Sequence, residues 1–373
     1  MDIGLITTVE TNIGDDLIRV GLQRVLETVY AGQSCRYRLI DKHRPWRAYP
    51  YWHPVRWVGA LPLGRVRAGN MASRIFSGLH DGVFQRTPLW IYCGTPIMWD
   101  GCSRAEWAEP LWTHGLHRVS EDVTILNIAS GASFAWEGRD RALQDDRDRA
   151  YLSRLFGACR LNTFRDPLAH RVAIDMGFES HLLPCAALLA AGIESAADTA
   201  TSGPILCNYM PGAGHYDLGQ GIERAAWRDT MRELIQRLQT RYQVVFLCHS
   251  RVEWECCDEL GLNLPKIWPR HAGEYAALVR HARAAVCNRL HASVALAGMG
   301  IPSVAVGVDT RMLMVDEIGL PTCYVKEASV DDLESQLEGV VAGAAEQRDR
   351  LHELSCRTFE RYVALVGDAT QVR

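Results

Sequence analysis

The chain has 373 residues, of which 48% are hydrophobic and 23% charged, an ordinary balance for a globular protein with a full core. At roughly 100–200 residues per domain, that length predicts two domains. A formal net charge of −4 gives no global field to hold the protein on nucleic acid, so no nucleic-acid partner is expected.

The N-terminus reads MDIGLITTVETNIGDD and lacks a charged region followed by a long apolar run, so no signal peptide is expected. Apolar stretches fall far short of the ~20 residues a membrane helix needs, so any membrane contact would be peripheral. The twelve cysteines form no CxxC pair, and no Cys/His set has zinc-site spacing; no metal is expected. Cys93, Cys185, Cys207, Cys248 and Cys287 lie in apolar runs, where a thiol behaves as a small buried hydrophobe. A reducing cytoplasm, with membrane contact at its inner face, is the expected location.

Short apolar runs alternate with amphipathic patterns, the trace of parallel βαβ units. Ile3–Val9 reads as a buried strand. Thr11-Asn12-Ile13-Gly14-Asp15 reads as a turn in which Gly14 supplies a positive φ. Leu17, Ile18, Leu22, Val25 and Leu26 then recur at helical spacing, with Asp15 and Asp16 where a helix N-terminus favours carboxylates. Residues 36–74 break the pattern. Eight arginines and Lys42 stand there against Asp41, interleaved with Trp46, Tyr49, Tyr51, Trp52 and Trp57, and four prolines predict a long functional loop. Leu89–Cys93, Thr124–Ile128 and Arg160–Phe164 read as strands, and Leu168–Met176 as a helix. The small, polar stretch Gly192–Gly203 reads as an interdomain linker.

Beyond it, Pro204–Tyr209, Gln243–Cys248, Ala284–Cys287 and Ser303–Val308 read as strands. Ile222–Tyr242, Tyr275–His281 and His291–Met299 read as helices, and one long helix over Val330–Leu365 is expected to pack back across the molecule. The expected organisation is an N-terminal domain over residues 1–195, a C-terminal domain over 203–330, and a helix and tail over 331–373. Two doubly wound α/β domains would face a cleft, with ligands beyond the carboxyl ends of the strands.

Residues 284–311, AAVCNRLHASVALAGMGIPSVAVGVDTR, carry the most chemistry. A strand ends at Asn288, and Arg289 and His291 stand where the next helix begins. A helix N-terminus offers unpaired N–H groups and about half a positive charge, and Arg289 adds a fork suited to carboxylate or phosphate. Arg311 follows the next strand and can approach the same cleft. His291 is the group there that exchanges a proton near neutral pH.

Arg289-Leu290-His291-Ala292, Gly300-Ile301-Pro302 and Asp309-Thr310-Arg311, in that order, resemble the C-terminal half of the polysaccharide pyruvyltransferases. Asn12-Ile13-Gly14-Asp15 and Arg165-Asp166 resemble further elements of that family. The resemblance runs from about residue 3 to 326. It implies a GT-B-like fold and transfer of the enolpyruvyl unit of phosphoenolpyruvate to a sugar diol, giving a pyruvate ketal. It also implies His291 as general acid/base, Arg165, Arg289 and Arg311 clamping the donor, Leu290 beside them, and Asn12, Gly14 and Asp15 at the substrate. No cofactor is implied beyond phosphoenolpyruvate as donor substrate. The family's usual lysine is Arg311 here, which keeps charge but does not titrate. Two other readings fit the same scaffold: a glycosyltransferase with a nucleotide-sugar donor, or a non-catalytic carbohydrate-binding protein. The basic-aromatic stretch suits either sugar stacking or an anionic membrane carrying a lipid-linked acceptor.

Overall fold

The computed structural model describes residues 1–9, 13–61, 70–71, 74–75, 84, 86–113, 115–119, 121–141, 143–191, 203–214 and 218–371. Asn12, most of the expected linker and part of the basic-aromatic stretch lie outside the described residues.

The N-terminal half alternates β1 (Asp2–Thr7), α1 (Ile13–Val29), β2 (Arg36–Asp41), α2 (Pro54–Ala60), β3 (Leu89–Cys93), β4 (Pro96–Met98), β5 (Thr124–Ala132), α3 (Asp146–Ala158), β6 (Leu161–Phe164), α4 (Pro167–Asp175) and β7 (His181–Leu182). Its strands pair in parallel in the order β2-β1-β3-β5-β6-β7, with β4 added beside β5. The C-terminal half runs β8 (Ile205–Asn208), α5 (Arg224–Gln239), β9 (Val244–Leu247), α6 (Arg251–Cys256), β10 (Lys266–Ile267), α7 (Ala272–Val279), β11 (Ala284–Cys287), α8 (Leu290–Gly298), β12 (Ser303–Gly307), α9 (Leu313–Asp316) and β13 (Thr322–Tyr324). These strands form a second parallel sheet, ordered β10-β9-β8-β11-β12-β13. Helices α10 (Val330–Ala342) and α11 (Ala344–Thr370) follow.

Parallel strands covered on both faces need continuous apolar runs, and β3, β8, β9, β11 and β12 are buried throughout. Three expectations are corrected. The stretch from residue 36 is not a loop at its start: Arg36–Asp41 is β2, an edge strand whose Arg36 and Arg38 stand off the core. Gly14 does not take a positive φ; α1 begins at Ile13, so Gly14 is helical and Asp15 sits in the first turn. The long final helix is two helices, broken at Gly343, where glycine's low helix propensity allows the change of direction.

Two seams join the halves. Phe134 and Thr310 exchange hydrogen bonds, with the Phe134 N–H donating to Thr310 Oγ1 and the Thr310 N–H donating to the Phe134 carbonyl, each at 3.0 Å. On the other side, the turn Ala186–Leu189 wedges between α1 and α8, and α11 closes over it, its buried Tyr362 hydroxyl donating to the Pro184 carbonyl at 2.9 Å. One hydrophobic core therefore runs from β1 and α1 through the second sheet to α11. Among the described residues, no helix is long and apolar enough to cross a membrane.

Candidate active site

A cleft of about 540 Å³ lies between the two sheets, at the carboxyl ends of their strands. On its C-terminal wall, β11 ends and Asn288 anchors the loop, accepting from the Met210 N–H (2.9 Å) and donating to the Val306 carbonyl (3.1 Å). Asn208, at the end of β8, accepts the Arg289 N–H at 2.7 Å. These side chains fix the start of α8, whose first turn carries Leu290 and His291.

Arg289 donates through Nε to Glu253 Oε1 at 2.6 Å. Glu253 is buried and also accepts from Asn208 Nδ2 (2.7 Å) and the His249 N–H (2.9 Å). Burial alone would raise its carboxyl, but Arg289 and His249 hold it below the usual range, so it stays ionised. This pairing spends one nitrogen of Arg289 and leaves Nη1 and Nη2 for the cleft that the side chain lines.

His291 lines the cleft at 9% exposure. Its Nε2 lies 2.8 Å from Arg165 Nη1. Arginine only donates, so Nε2 accepts and the ring proton is assigned to Nδ1. Burial first, then the charges of Arg165, Arg311 and Arg289, push its pKa well below the ordinary histidine value. The ring is therefore neutral at pH 7.

The expected trio of arginines divides into three roles. Arg165 is fully buried and does not line the cleft; Nη1 is held by the Gly94 carbonyl (2.7 Å) and His291, so it supports the imidazole from behind rather than forming the wall. Its Nε and Nη2 have no protein partner among the described residues. Arg311 lines the cleft, but its fork is engaged by Asp309 through Nε (2.8 Å) and Nη2 (2.6 Å). Of the two arginines that line the cleft, Arg289 is the one whose terminal nitrogens make no carboxylate bond among the described residues.

Asp15, in the first turn of α1, also lines the cleft. Burial raises its pKa against the opposing pull of Lys42, Arg165, Arg289 and His43. Gly14 is buried one residue earlier and is not among the lining residues. Beside Asp15 stand residues the sequence reading did not assign to the site. Lys42 is buried, 4.5 Å from the Trp107 ring centre, and burial lowers its pKa to about 8 despite Asp15 and Glu106 nearby. His43 pairs with Glu106. A signal existed: Lys42 and His43 follow the carboxyl end of β2, where open α/β sheets place their ligands, but the exposed basic residues of β2 mask it as a strand. Glu253 had one too, since Ser250-x-x-Glu253 is a helix-start pattern; Ser250 caps α6 by accepting the Glu253 N–H at 3.3 Å.

The fold of solved UDP-GlcNAc 2-epimerases is similar. The Neisseria meningitidis enzyme, solved with UDP-GlcNAc bound, matches with a TM-score of 0.56 at 8% identity, over 98% of this chain and 99% of that one. A putative enzyme from Listeria monocytogenes gives 0.56 at 12% identity over 94% and 90%. The Methanocaldococcus jannaschii enzyme gives 0.51 at 11% over 91% and 93%. At such identities the likeness shows the fold alone, two Rossmann-like domains in the GT-B arrangement. No curated protein matches the sequence. The polysaccharide pyruvyl transferase family model matches residues 119–310, just over half of the chain, which takes in Arg165, Arg289, His291 and Asp309. The chain belongs to the polysaccharide pyruvyl transferase family and is a transferase.

Proposed function

We propose that the protein transfers the enolpyruvyl unit of phosphoenolpyruvate to a sugar diol of a glycan or glycan precursor, forming a pyruvate ketal and releasing phosphate. The observation that carries this reading is the pairing of His291 with Arg165 at the N-terminus of α8, beside the open fork of Arg289. A helix N-terminus and a guanidinium fork suit a small molecule bearing both carboxylate and phosphate.

The charge balance suggests how the acid forms. Burial, and then Arg165, Arg311 and Arg289, disfavour a positive charge on His291. A donor carrying carboxylate and phosphate reverses that field and favours the imidazolium, whose new Nε2–H displaces the hydrogen bond from Arg165. His291 then protonates carbon 3, and carbon 2 becomes oxocarbenium-like. One acceptor oxygen bonds to carbon 2, phosphate leaves with its C–O electron pair, and the second oxygen closes the ring. Two hydroxyl protons are given up: one replaces the proton delivered to carbon 3, the other leaves on phosphate. This path needs neither metal nor redox cofactor. On the acceptor side, we read the exposed Tyr51, Trp52 and Trp57 around α2, among their basic neighbours, as a surface for an anionic membrane that carries a lipid-linked acceptor.

Thermal unfolding tests the donor. Phosphoenolpyruvate alone should stabilise the protein, by about 2.7 kcal/mol at a hundred times Kd for one site. Stabilisation by UDP or a UDP-sugar instead would favour a glycosyltransferase. His291→Gln should fold normally and lose roughly 10²–10⁴-fold in kcat. An unchanged rate would point to a role other than catalysis for this histidine.

A further inference from the structure

The reaction proposed above removes two protons from acceptor hydroxyls, and His291 sits on one wall with Nε2 already occupied by Arg165. A second imidazole faces the same cleft from the N-terminal wall. His43 follows β2, and its backbone N–H donates to Asp41 Oδ1 at 3.1 Å, which fixes the turn. Its Nδ1 lies 2.7 Å from Glu106 Oε1, and its Nε2 lies 3.4 Å from Thr8 Oγ1. Its ring makes a T-shaped contact with Trp107, with 5.5 Å between centroids. Thr8, His43, Glu106 and Trp107 all line the cleft.

Two features distinguish this pair from a solvated surface ion pair. The first is its setting. Asp15 feels the charges of His43 and Lys42 on its own wall and of Arg289 on the opposite one, so the pair shares its volume with the anion-binding end. The second is its partial shelter: the His43 side chain is 39% exposed and that of Glu106 30%, open to a ligand but orientated by packing. Burial opposes ionisation of Glu106, but its bond to His43 and the charges of His43 and Lys42 hold its carboxyl below the usual range. A carboxylate on Nδ1 makes that nitrogen the donor and turns the Nε2 lone pair to the cleft side, where it meets only the long 3.4 Å contact from Thr8 Oγ1 among the described residues, a contact that an acceptor hydroxyl can replace.

We propose that His43, positioned by Glu106, is the base that deprotonates an acceptor hydroxyl as it attacks carbon 2 of the donor; the proposal rests on the donor reading above. The hydroxyl oxygen's lone pair forms the new C–O bond, while the O–H bond breaks and its electron pair stays on oxygen. The proton passes to His43 Nε2. The imidazolium, paired with Glu106, then gives it to the departing phosphate, which has left carbon 2 with the C–O electron pair. The acid and the base of the reaction thus stand on different domains, and the ketal forms between them. Glu106 acts through His43 as a positioning residue.

Turnover is read as phosphate released from phosphoenolpyruvate in the presence of methyl hexopyranosides with a free 4,6-diol, whose 1,3-relationship closes a six-membered ketal. His43→Ala should lose ~10²-fold or more in kcat. It should keep the thermal shift given by phosphoenolpyruvate and recover rate when free imidazole is added. Glu106→Gln should lower kcat by less, with KM for phosphoenolpyruvate unchanged. A His43→Ala enzyme within about threefold of wild type overturns the proposal, as does a slow one that keeps its donor shift and ignores imidazole. Failure of the donor reading looks different: wild-type protein then shows no shift with phosphoenolpyruvate, and both ideas fall together.

Discussion

His291 is held between opposing demands: the chemistry proposed for it needs a charged ring, and its surroundings suppress one. Burial and three arginines lower its pKa, so the folded state binds this proton less readily than the unfolded chain does. For a group depressed in the folded state, the contribution to stability is fully present above the unfolded pKa of about 6.5 and is lost as pH falls toward the folded value. His291→Gln removes the group with similar shape. Above about pH 7.5 the wild-type and variant unfolding curves should keep a constant offset, which begins to change as pH falls toward about 6.5. Below about pH 6.5 the wild type should lose ground to the variant, by at most about 1.4 kcal/mol per pH unit. His249, lowered to about 4 by burial, and Asp166, raised to about 6 by burial, are common to both proteins and cancel in the difference. Urea unfolding across that range measures it, and parallel curves would show that the ring is not suppressed. The identities of Arg289 and His291 were legible because strand end and helix start fall within a few residues of each other. Arg165 was legible only through the family resemblance, and Glu253 was not assigned: Glu253 lies 36 residues from Arg289 and Arg165 lies 126 from His291, separations that only the folded chain closes.

At the level of elements, the strands buried on both faces were legible as apolar runs, while β2 was not. An edge strand carries its unpaired side toward solvent, and Arg36, Arg38 and a half-exposed Leu39 hide the alternation that a core-facing strand shows. The same misreading merged β2, the turn holding Lys42 and His43, and α2 into one basic loop. Separated, they serve different surfaces. Lys42 and His43 turn into the cleft, whereas Trp52 and Trp57 are 72% and 64% exposed, with Arg56 stacked 3.9 Å from the exposed Tyr51 ring. From Arg44 to Trp99 the sequence carries seven arginines against the single Asp81, a local excess inside a chain of net negative charge. Each basic residue near an anionic bilayer contributes about 1 kcal/mol, and indole rings settle at the headgroup level. Flotation with phosphatidylglycerol-containing vesicles should therefore retain the protein at low salt. Pure phosphatidylcholine vesicles should not, and Trp52→Ser with Trp57→Ser should release it. Equal binding to both vesicle types would remove electrostatics from the account, and no binding to either would remove the surface.

Across the whole molecule, the two halves are not hinged freely on a thread, because the turn Ala186–Leu189 is gripped from both sides. A Cβ on Gly21 of α1 would overlap the Ala186 carbonyl oxygen, and one on Gly298 of α8 would overlap that of Leu188. These two glycines let a helix from each domain lie directly on the same short backbone segment. α11 then covers it, with Ser355 reaching the Leu188 carbonyl at 3.4 Å and Tyr362 the Pro184 carbonyl. Because α8 also carries His291 at its other end, its seat on this turn sets how far the imidazole stands from the opposite wall. Gly298→Ala should therefore act twice. Overpacking a backbone contact typically costs about 1–3 kcal/mol, so stability falls. The shift of α8 should also lower kcat although residue 298 is a whole helix away from the chemistry, since small misplacements of a positioned group slow reactions steeply. Gly339→Ala is the matched control: a Cβ there meets nothing, and the site lies inside helix α10, so the change should be neutral or stabilising by up to about 1 kcal/mol. Denaturant unfolding and phosphate release on the two variants separate the cases. If Gly298→Ala loses stability but keeps full turnover, the wedge holds the domains together without setting the geometry of the cleft.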